Sequence, residues 1–133
     1  MPYYFSKHVD MSFDEAIQRA TECLKEAGFG VLTEIDVKQT MKKKLDKDVR
    51  PYWILGACNP HFAYQALEAE DKIGTMLPCN VIVRDNGDGK TEVAAVDPIS
   101  SMQAVKNSKL KDVATSVQAK LRNVINSLQE VTT

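Results

Sequence analysis

Apolar and polar residues alternate at the start of the chain, with Tyr3, Phe5, Lys7 and Val9 set against Tyr4, Ser6 and His8. This period of two, rich in aromatics, predicts a strand over 3–9. Ser12-Phe13-Asp14-Glu15 then has the form of a capping box, so a helix should start here. Its apolar residues Phe13, Ile17, Ala20, Leu24 and Ala27 fall alternately four and three apart and make one core-facing stripe. Gly28 follows as a C-terminal cap.

A second strand is expected over 31–35, with Val31, Thr33 and Ile35 on one face and Leu32 and Glu34 on the other. Asp36 can cap a short helix carrying Val37, Thr40, Met41 and Leu45, whose outer surface Lys38, Lys42, Lys43, Lys44 and Lys47 make basic. The stretch 50–58 contains Tyr52-Trp53-Ile54-Leu55-Gly56-Ala57-Cys58, apolar at every position, which predicts a central strand covered on both faces. Asn59-Pro60 pairs an N-cap residue with Pro at the first helical position, where a missing N–H costs nothing. A short helix to about Glu70 should turn Phe62, Ala63, Ala66 and Leu67 inward.

Strands over 77–83 and 91–96 flank Asp85-Asn86-Gly87-Asp88-Gly89, a turn rich in residues that tolerate positive φ, and so form a hairpin. The last helix, 109–129, carries Leu110, Ala114, Val117, Leu121, Val124 and Leu128 at alternating four- and three-residue spacings. The order is β-α-β-(short α)-β-(short α)-β-β-α, one domain over 1–133 with no linker or repeat. Hairpin-linked strands with long helices near both ends indicate an α+β fold: an antiparallel sheet with two long helices on one face and two short insert helices. Its other face then needs cover, and a homodimer is the commonest answer.

Composition narrows the function classes. The 133 residues, 44% hydrophobic, can bury one core. Seventeen Lys and Arg against eighteen Asp and Glu leave a net charge of -1, so no global field favours nucleic acid. No apolar run nears the roughly 18 residues of a membrane span, and the start Met1-Pro2-Tyr3-Tyr4-Phe5-Ser6-Lys7 lacks the layout of a signal peptide. A cytoplasmic location is expected. Three cysteines, Cys23, Cys58 and Cys79, are an odd count that argues for reduced thiols over a disulfide framework.

Three segments stand apart from generic core: Ile54-Leu55-Gly56-Ala57-Cys58-Asn59-Pro60, Leu77-Pro78-Cys79-Asn80-Val81 and Val93-Ala94-Ala95-Val96-Asp97-Pro98. In this order and at these intervals they resemble the bacterial and archaeal family known as domain of unknown function 302. The resemblance covers nearly the whole chain, and Phe62-Ala63 is similar to an aliphatic-Ala pair that the family carries after its first motif. It implies a fold like that of the TATA-box-binding protein, β-α-β(4)-α with a curved antiparallel sheet, and homodimers. It implies no DNA binding, because one fold hosts unrelated functions, and the family's activity is not established.

Cys58 and Cys79 each precede an Asn, near the end of one strand and the start of the next long one. If those strands are antiparallel neighbours, the two sulfurs approach, and the positive end of the Asn59-Pro60 helix would lower a thiolate pKa. A redox or sulfur-transfer pair is one reading; small buried hydrophobes is the other, and the better one without a C-x-x-C motif. Cys23 belongs to packing. Cys58, His61 and Cys79 have zinc-like spacing but no evident fourth ligand, so no metal is assigned. Asn59, Asn80 and Asp97 stand at strand ends and either brace loops locally or gather at one end of an apolar pocket.

The segment 38–50 holds six positive residues against Asp46 and Asp48, and reads best as a solvated helix face, although an acidic partner would suit it. Gly87-x-Gly89 sits in a hairpin turn and is no phosphate loop, and no catalytic triad or carboxylate pair emerges from the spacings. Two functions result. The first is a non-catalytic homodimer that binds a small ligand or partner on the open side of its sheet, near Cys58, Asn59, Pro60, Cys79, Asn80 and Asp97. The alternative is a thiol-dependent sulfur-transfer or redox protein in which Cys58 attacks and Cys79 resolves. No cofactor is specified by the residues.

Overall fold

The computed structural model describes residues 2–128. Alternating and all-apolar segments form five strands, β1 (Tyr4–Val9), β2 (Gly30–Asp36), β3 (Tyr52–Cys58), β4 (Cys79–Asp85) and β5 (Thr91–Val96). They make a single antiparallel sheet in the order β1-β5-β4-β3-β2. Two long helices, α1 (Phe13–Glu26) and α5 (Lys109–Ser127), bring their apolar stripes onto the same face. Shorter helices α2 (Val37–Leu45) and α3 (Pro60–Ala69) join the middle strands, and α4 (Pro98–Ser101) precedes α5. The fold is the expected α+β arrangement of an antiparallel sheet with helices.

The core lies between that face and the long helices. Val9, Leu55, Ala57, Val81, Val83, Val93 and Ala95 meet Ala16, Ala20, Leu24, Leu121 and Val124, all buried. Full burial of the valine and leucine side chains among them contributes about 1.5–3 kcal/mol each. A satellite cluster of Ala66, Ile73 and Leu110, with Leu77, Met102 and Val113 beside it, joins α3 and α5 away from the main core.

Local chemistry sets the element ends. Ser12 Oγ accepts from the Glu15 amide (3.2 Å) and donates to Glu15 Oε1 (3.1 Å), so the capping residues meet side chain to side chain. Gly28, at φ 90°, takes the left-handed conformation that ends α1, and the Phe29 amide donates back to the Leu24 carbonyl (2.8 Å). Asp36 caps α2 by accepting from the Gln39 amide (3.0 Å). Lys7 reaches from β1 to donate to the carbonyls of Asn126 (3.0 Å) and Leu128 (2.7 Å) at the end of α5, where a cation is favoured.

Several expectations need correction. A bulge between Val31 and Thr33 reverses the faces of β2: Val31 pairs with core residue Ala57, while Thr33 and Ile35 pair with Gly56 and Ile54 on the opposite face. The all-apolar β3 is not covered on both faces, since Tyr52 and Ile54 remain half-exposed on the side away from the helices. Leu67 does not point inward but is 48% exposed, because α3 packs through Ala66 and, in part, Phe62 and Ala63. The strand expected from Leu77 begins at Cys79, after a cis Leu77-Pro78 bond. The helix expected to reach Gln129 ends at Ser127, and Gln129 lies outside the described residues.

Gly56 lets three segments meet on the uncovered face. A Cβ there would overlap Thr33 Oγ1 and come within 2.8 Å of Pro78 Cγ, whereas one at Gly30 would meet nothing within 4 Å. Gly56→Ala should therefore destabilise the protein by about 1–3 kcal/mol through overpacking. Gly30→Ala should stay within about 0.5 kcal/mol. Urea unfolding monitored by the single tryptophan, Trp53, measures both.

Candidate functional site

The Cys-Asn segments meet at one end of the two central strands. Ala57 of β3 pairs directly with Cys79 of β4, and both belong to the main core. Alternation along a strand turns successive side chains to opposite faces, so Cys58 is not a cross-strand partner of Cys79. Both cysteines nevertheless border one small cavity of about 30 Å³, walled by α3, α4, α5 and the strand ends and partly open to solvent. Phe29, Phe62 and Met102 are among its walls. This cavity follows the seam between the main core and the satellite cluster, with walls drawn from each.

The thiols are set against reactivity. All three cysteines are free. Burial, followed by the proximity of Cys58, pushes the Cys79 thiol up to about 11. Desolvation also raises the Cys58 thiol. This runs against the lowering expected from the N-terminus of α3, because loss of water penalises the thiolate directly. Cys23 is a core residue packed with Ala20 and Leu24.

Asn59 departs from its expected role as a helix cap. Its side chain makes no capping bond to α3. It is only 8% exposed, and its Oδ1 is buried without a hydrogen-bond partner among the described residues. Its Nδ2 stands 3.2 Å from where a Cβ on Gly28 would lie, so the glycine at the end of α1 leaves room for the amide. Pro60 occupies the first turn of α3 and is exposed. His61 is exposed as well, and no group of three side chains able to hold a metal occurs among the described residues.

The remaining candidates separate from this cavity. Asp97 caps α4: its Oδ1 accepts from the Ile99 amide (3.0 Å) and Gln118 Nε2 (3.1 Å), and its Oδ2 from Ser100 Oγ (3.3 Å). That carboxylate ties α4 to α5. Asn80 pairs with Gly56 and is exposed on the uncovered face of the sheet. The six residues singled out from the sequence therefore do not converge on one site.

Around Asn80 the uncovered face forms a concavity of about 460 Å³, within the range of roughly 300–1,000 Å³ typical of small-molecule sites. Ile82, Ala94 and Val96 give it apolar lining, and Tyr3, Tyr4 and Tyr52 stand around it. Tyr3 and Tyr4 meet edge to face with ring centres 5.1 Å apart. Cross-strand neighbours Arg84 and Glu92 form an ion pair within the same surface, Nε donating to Oε1 at 2.9 Å. Tyr52, Ile82, Arg84 and Glu92 were not singled out in the sequence. Alternation along β3, β4 and β5 is the signal that could have found them, since Tyr52 on β3 and Asn80, Ile82 and Arg84 on β4 are positions left over when Leu55, Val81 and Val83 enter the core.

The lysine-rich α2 buries no residue. Part of its charge is committed locally: Lys38 Nζ donates to the Val49 carbonyl (2.8 Å), and Lys42 lies 2.9 Å from Asp46 and 3.6 Å from Asp48. Among the described residues, no helix is long and apolar enough to cross a membrane.

Comparison with known proteins gives a family and a fold. No curated protein matches the chain. The solved crystal structure of an uncharacterized conserved protein DUF302 from Bacillus stearothermophilus is similar, with a TM-score of 0.90 and 26% identity over 97% of this chain and 100% of that one. The family model for Domain of unknown function DUF302 matches residues 5–128, which takes in every strand but the first residue of β1 and all five helices. The chain thus belongs to the family of domain of unknown function 302.

Proposed function

We propose that this protein is a non-catalytic, homodimeric binding domain whose working surface is the uncovered face of the sheet, with a small ligand enclosed between two copies. The observation that carries this reading is the 460 Å³ concavity around Asn80. Its apolar lining suits a flat or aromatic body, and the Asn80 amide can give and take hydrogen bonds at its edge. Because Arg84 and Glu92 already neutralise each other, an uncharged polar ligand fits better than an ion.

A second copy is the cover that the surface calls for. Tyr3 and Tyr4 at its rim are 70% and 41% exposed, and Ile35, outside it on the same face, is 45% exposed, so the apolar character extends beyond the concavity. Five strands of this length make a face of roughly 24 by 20 Å. With its side-chain relief, that is of the order of one partner's share in a standard interface, about 800 Å². Three free thiols suit a reducing compartment, and the cytoplasmic placement rests on that ground alone.

The thiol-dependent alternative has less support, because both cysteines at the seam are held protonated by burial. Alkylation of the native protein should leave Cys79 unmodified at pH 8, with a rate that climbs toward a midpoint near 11. Peptide mass measurement at a series of pH values reads this. Rapid modification of Cys58 or Cys79 at neutral pH would revive sulfur chemistry.

Sedimentation equilibrium tests the assembly. The wild-type chain should be dimeric at micromolar concentration and Ile82→Glu monomeric, since a carboxylate in the middle of a closed apolar interface leaves an unpaired buried charge. The cost of such a charge, about 3–5 kcal/mol, corresponds to a dissociation constant raised by more than a hundredfold. A wild-type monomer at tens of micromolar, or an Ile82→Glu dimer of undiminished affinity, would refute the interface.

Benzamide, a flat uncharged probe with both donor and acceptor, tests the ligand site by amide NMR. It should shift Asn80, Ile82 and Ala94 with a dissociation constant of about 1 mM, worth roughly 4 kcal/mol. Shifts confined to other surfaces would place the ligand elsewhere.

A further inference from the structure

A polar row crosses the uncovered face of the sheet at one level. Strand register sets Tyr52 of β3 opposite Arg84 of β4, Arg84 opposite Glu92 of β5, and Glu92 opposite His8 of β1. The next row on that face, Ile54, Ile82, Ala94 and Ser6, is apolar but for its last member. Arg84 and Glu92 form the middle of the polar row, with side chains 43% and 18% exposed. Among the described residues they make one side-chain hydrogen bond, from Nε to Oε1, and it is to each other. A guanidinium carries five N–H donors and a carboxylate accepts at both oxygens, so most of the pair's capacity is turned to solvent.

Covering this face strips that solvent away, and charged groups left without partners beneath a second copy cost more than the cover returns. The covering surface must therefore present a carboxylate to Arg84 and a guanidinium to Glu92. The concavity itself holds one of each, in walls drawn from β4 (Asn80, Ile82, Arg84) and β5 (Glu92, Ala94, Val96). Resting on the reading of this face as a dimer interface, we propose that its two-fold axis runs parallel to the strands between β4 and β5, so that Arg84 of each copy meets Glu92 of the partner subunit.

Charge and symmetry select this setting. Sheets packed face to face keep their strand directions within about 30° of each other, and an axis along the strands lays each row on its own image. Placed over β4, that axis would set Arg84 against Arg84 of the partner subunit; placed over β5, it would set Glu92 against Glu92. Midway between them, opposite charges meet, and the ring of two guanidinium and two carboxylate groups is neutral as a whole. An axis across the strands either faces Arg84 with its own copy or lays the polar row over Thr33, Gly56 and Asn80, which carry no charge. The chosen setting also lays Ile82 over Ala94 of the partner subunit, large against small, as interdigitating sheets require.

Sedimentation equilibrium of two charge variants of the full chain, singly and mixed, tests the axis. Arg84→Glu makes the middle of the row acidic and Glu92→Arg makes it basic. Each alone should dimerise about a hundredfold more weakly than wild type, because like charges then face each other across the axis. An equimolar mixture should form a heterodimer close to wild-type affinity, since an acidic row then meets a basic one. Either variant dimerising like wild type, or a mixture no tighter than its parts, overturns the axis and leaves the dimer standing. A monomeric wild type, by contrast, removes the dimer and this arrangement with it. Disulfide trapping decides the question even if a charge variant does not fold. Chains carrying Ile82→Cys, mixed with chains carrying Ala94→Cys and mildly oxidised, should join through positions 82 and 94, as peptide mass measurement reads. A dimer that gives only 82-to-82 or 94-to-94 links, or none, overturns the proposal.

Discussion

Burial of one face of the sheet by α1 and α5 is the constraint on which the rest of the molecule depends. Val81, Val83, Val93 and Ala95 sit at the centre of β4 and β5, and the two long helices bring the apolar surface that covers them. The hydrophobic effect rewards that contact in proportion to area removed from water. Covering one face fixes the register of every strand, because a slip of one residue would carry each valine to the uncovered side. It also leaves the residues between them, Asn80, Ile82, Arg84, Glu92 and Ala94, gathered on the face that the chain itself does not cover.

That asymmetry separates two environments that are adjacent in sequence. Cys79 and Asn80 are neighbours in the chain, yet Cys79 enters the core at 8% exposure while Asn80 stands in the open. Burial pushes the thiol of the first up to about 11. The second belongs to a surface where polar groups remain accessible beside apolar ones. The same division operates at Asn59, where the strand ends and the chain passes behind the sheet. There the packing of α3 against α5 is incomplete, and a polar atom is enclosed at the seam.

Much of the fold was legible because its signals are local and periodic. The stripe Phe13, Ile17, Ala20, Leu24 and Ala27 marked α1, and Leu110, Ala114, Val117, Leu121 and Val124 marked α5, each with spacing that only a helix converts into one face. The Asp85 to Gly89 turn marked the hairpin through residues that accept positive φ, and Gly87 and Gly89 adopt it, at 82° and 81°. Where the reading failed, the deciding event was not local. The bulge in β2 moved Thr33 and Ile35 to the face opposite Val31, and Leu32 carries no mark of it. Leu67 looked like an inward residue from its hydrophobicity alone, but the direction of α3 over the satellite cluster leaves it in solvent.

The candidate site was legible only in pieces. The Cys-Asn segments stood out by composition, and the family they indicated is the one to which the chain belongs. The sequence by itself determined the five strands, the two long helices and two of the three shorter ones, their order, the α+β class and the family, but not α4, because capping, turn chemistry and apolar period act over a few residues. The tertiary structure decided that Cys58, Asn59 and Cys79 share a seam, that Asp97 is consumed in tying α4 to α5, and that Asn80 joins Arg84 and Glu92 on the uncovered face. Which face a strand residue occupies, and which distant residue it meets there, follow from strand pairing across the whole sheet, an outcome that no single segment encodes.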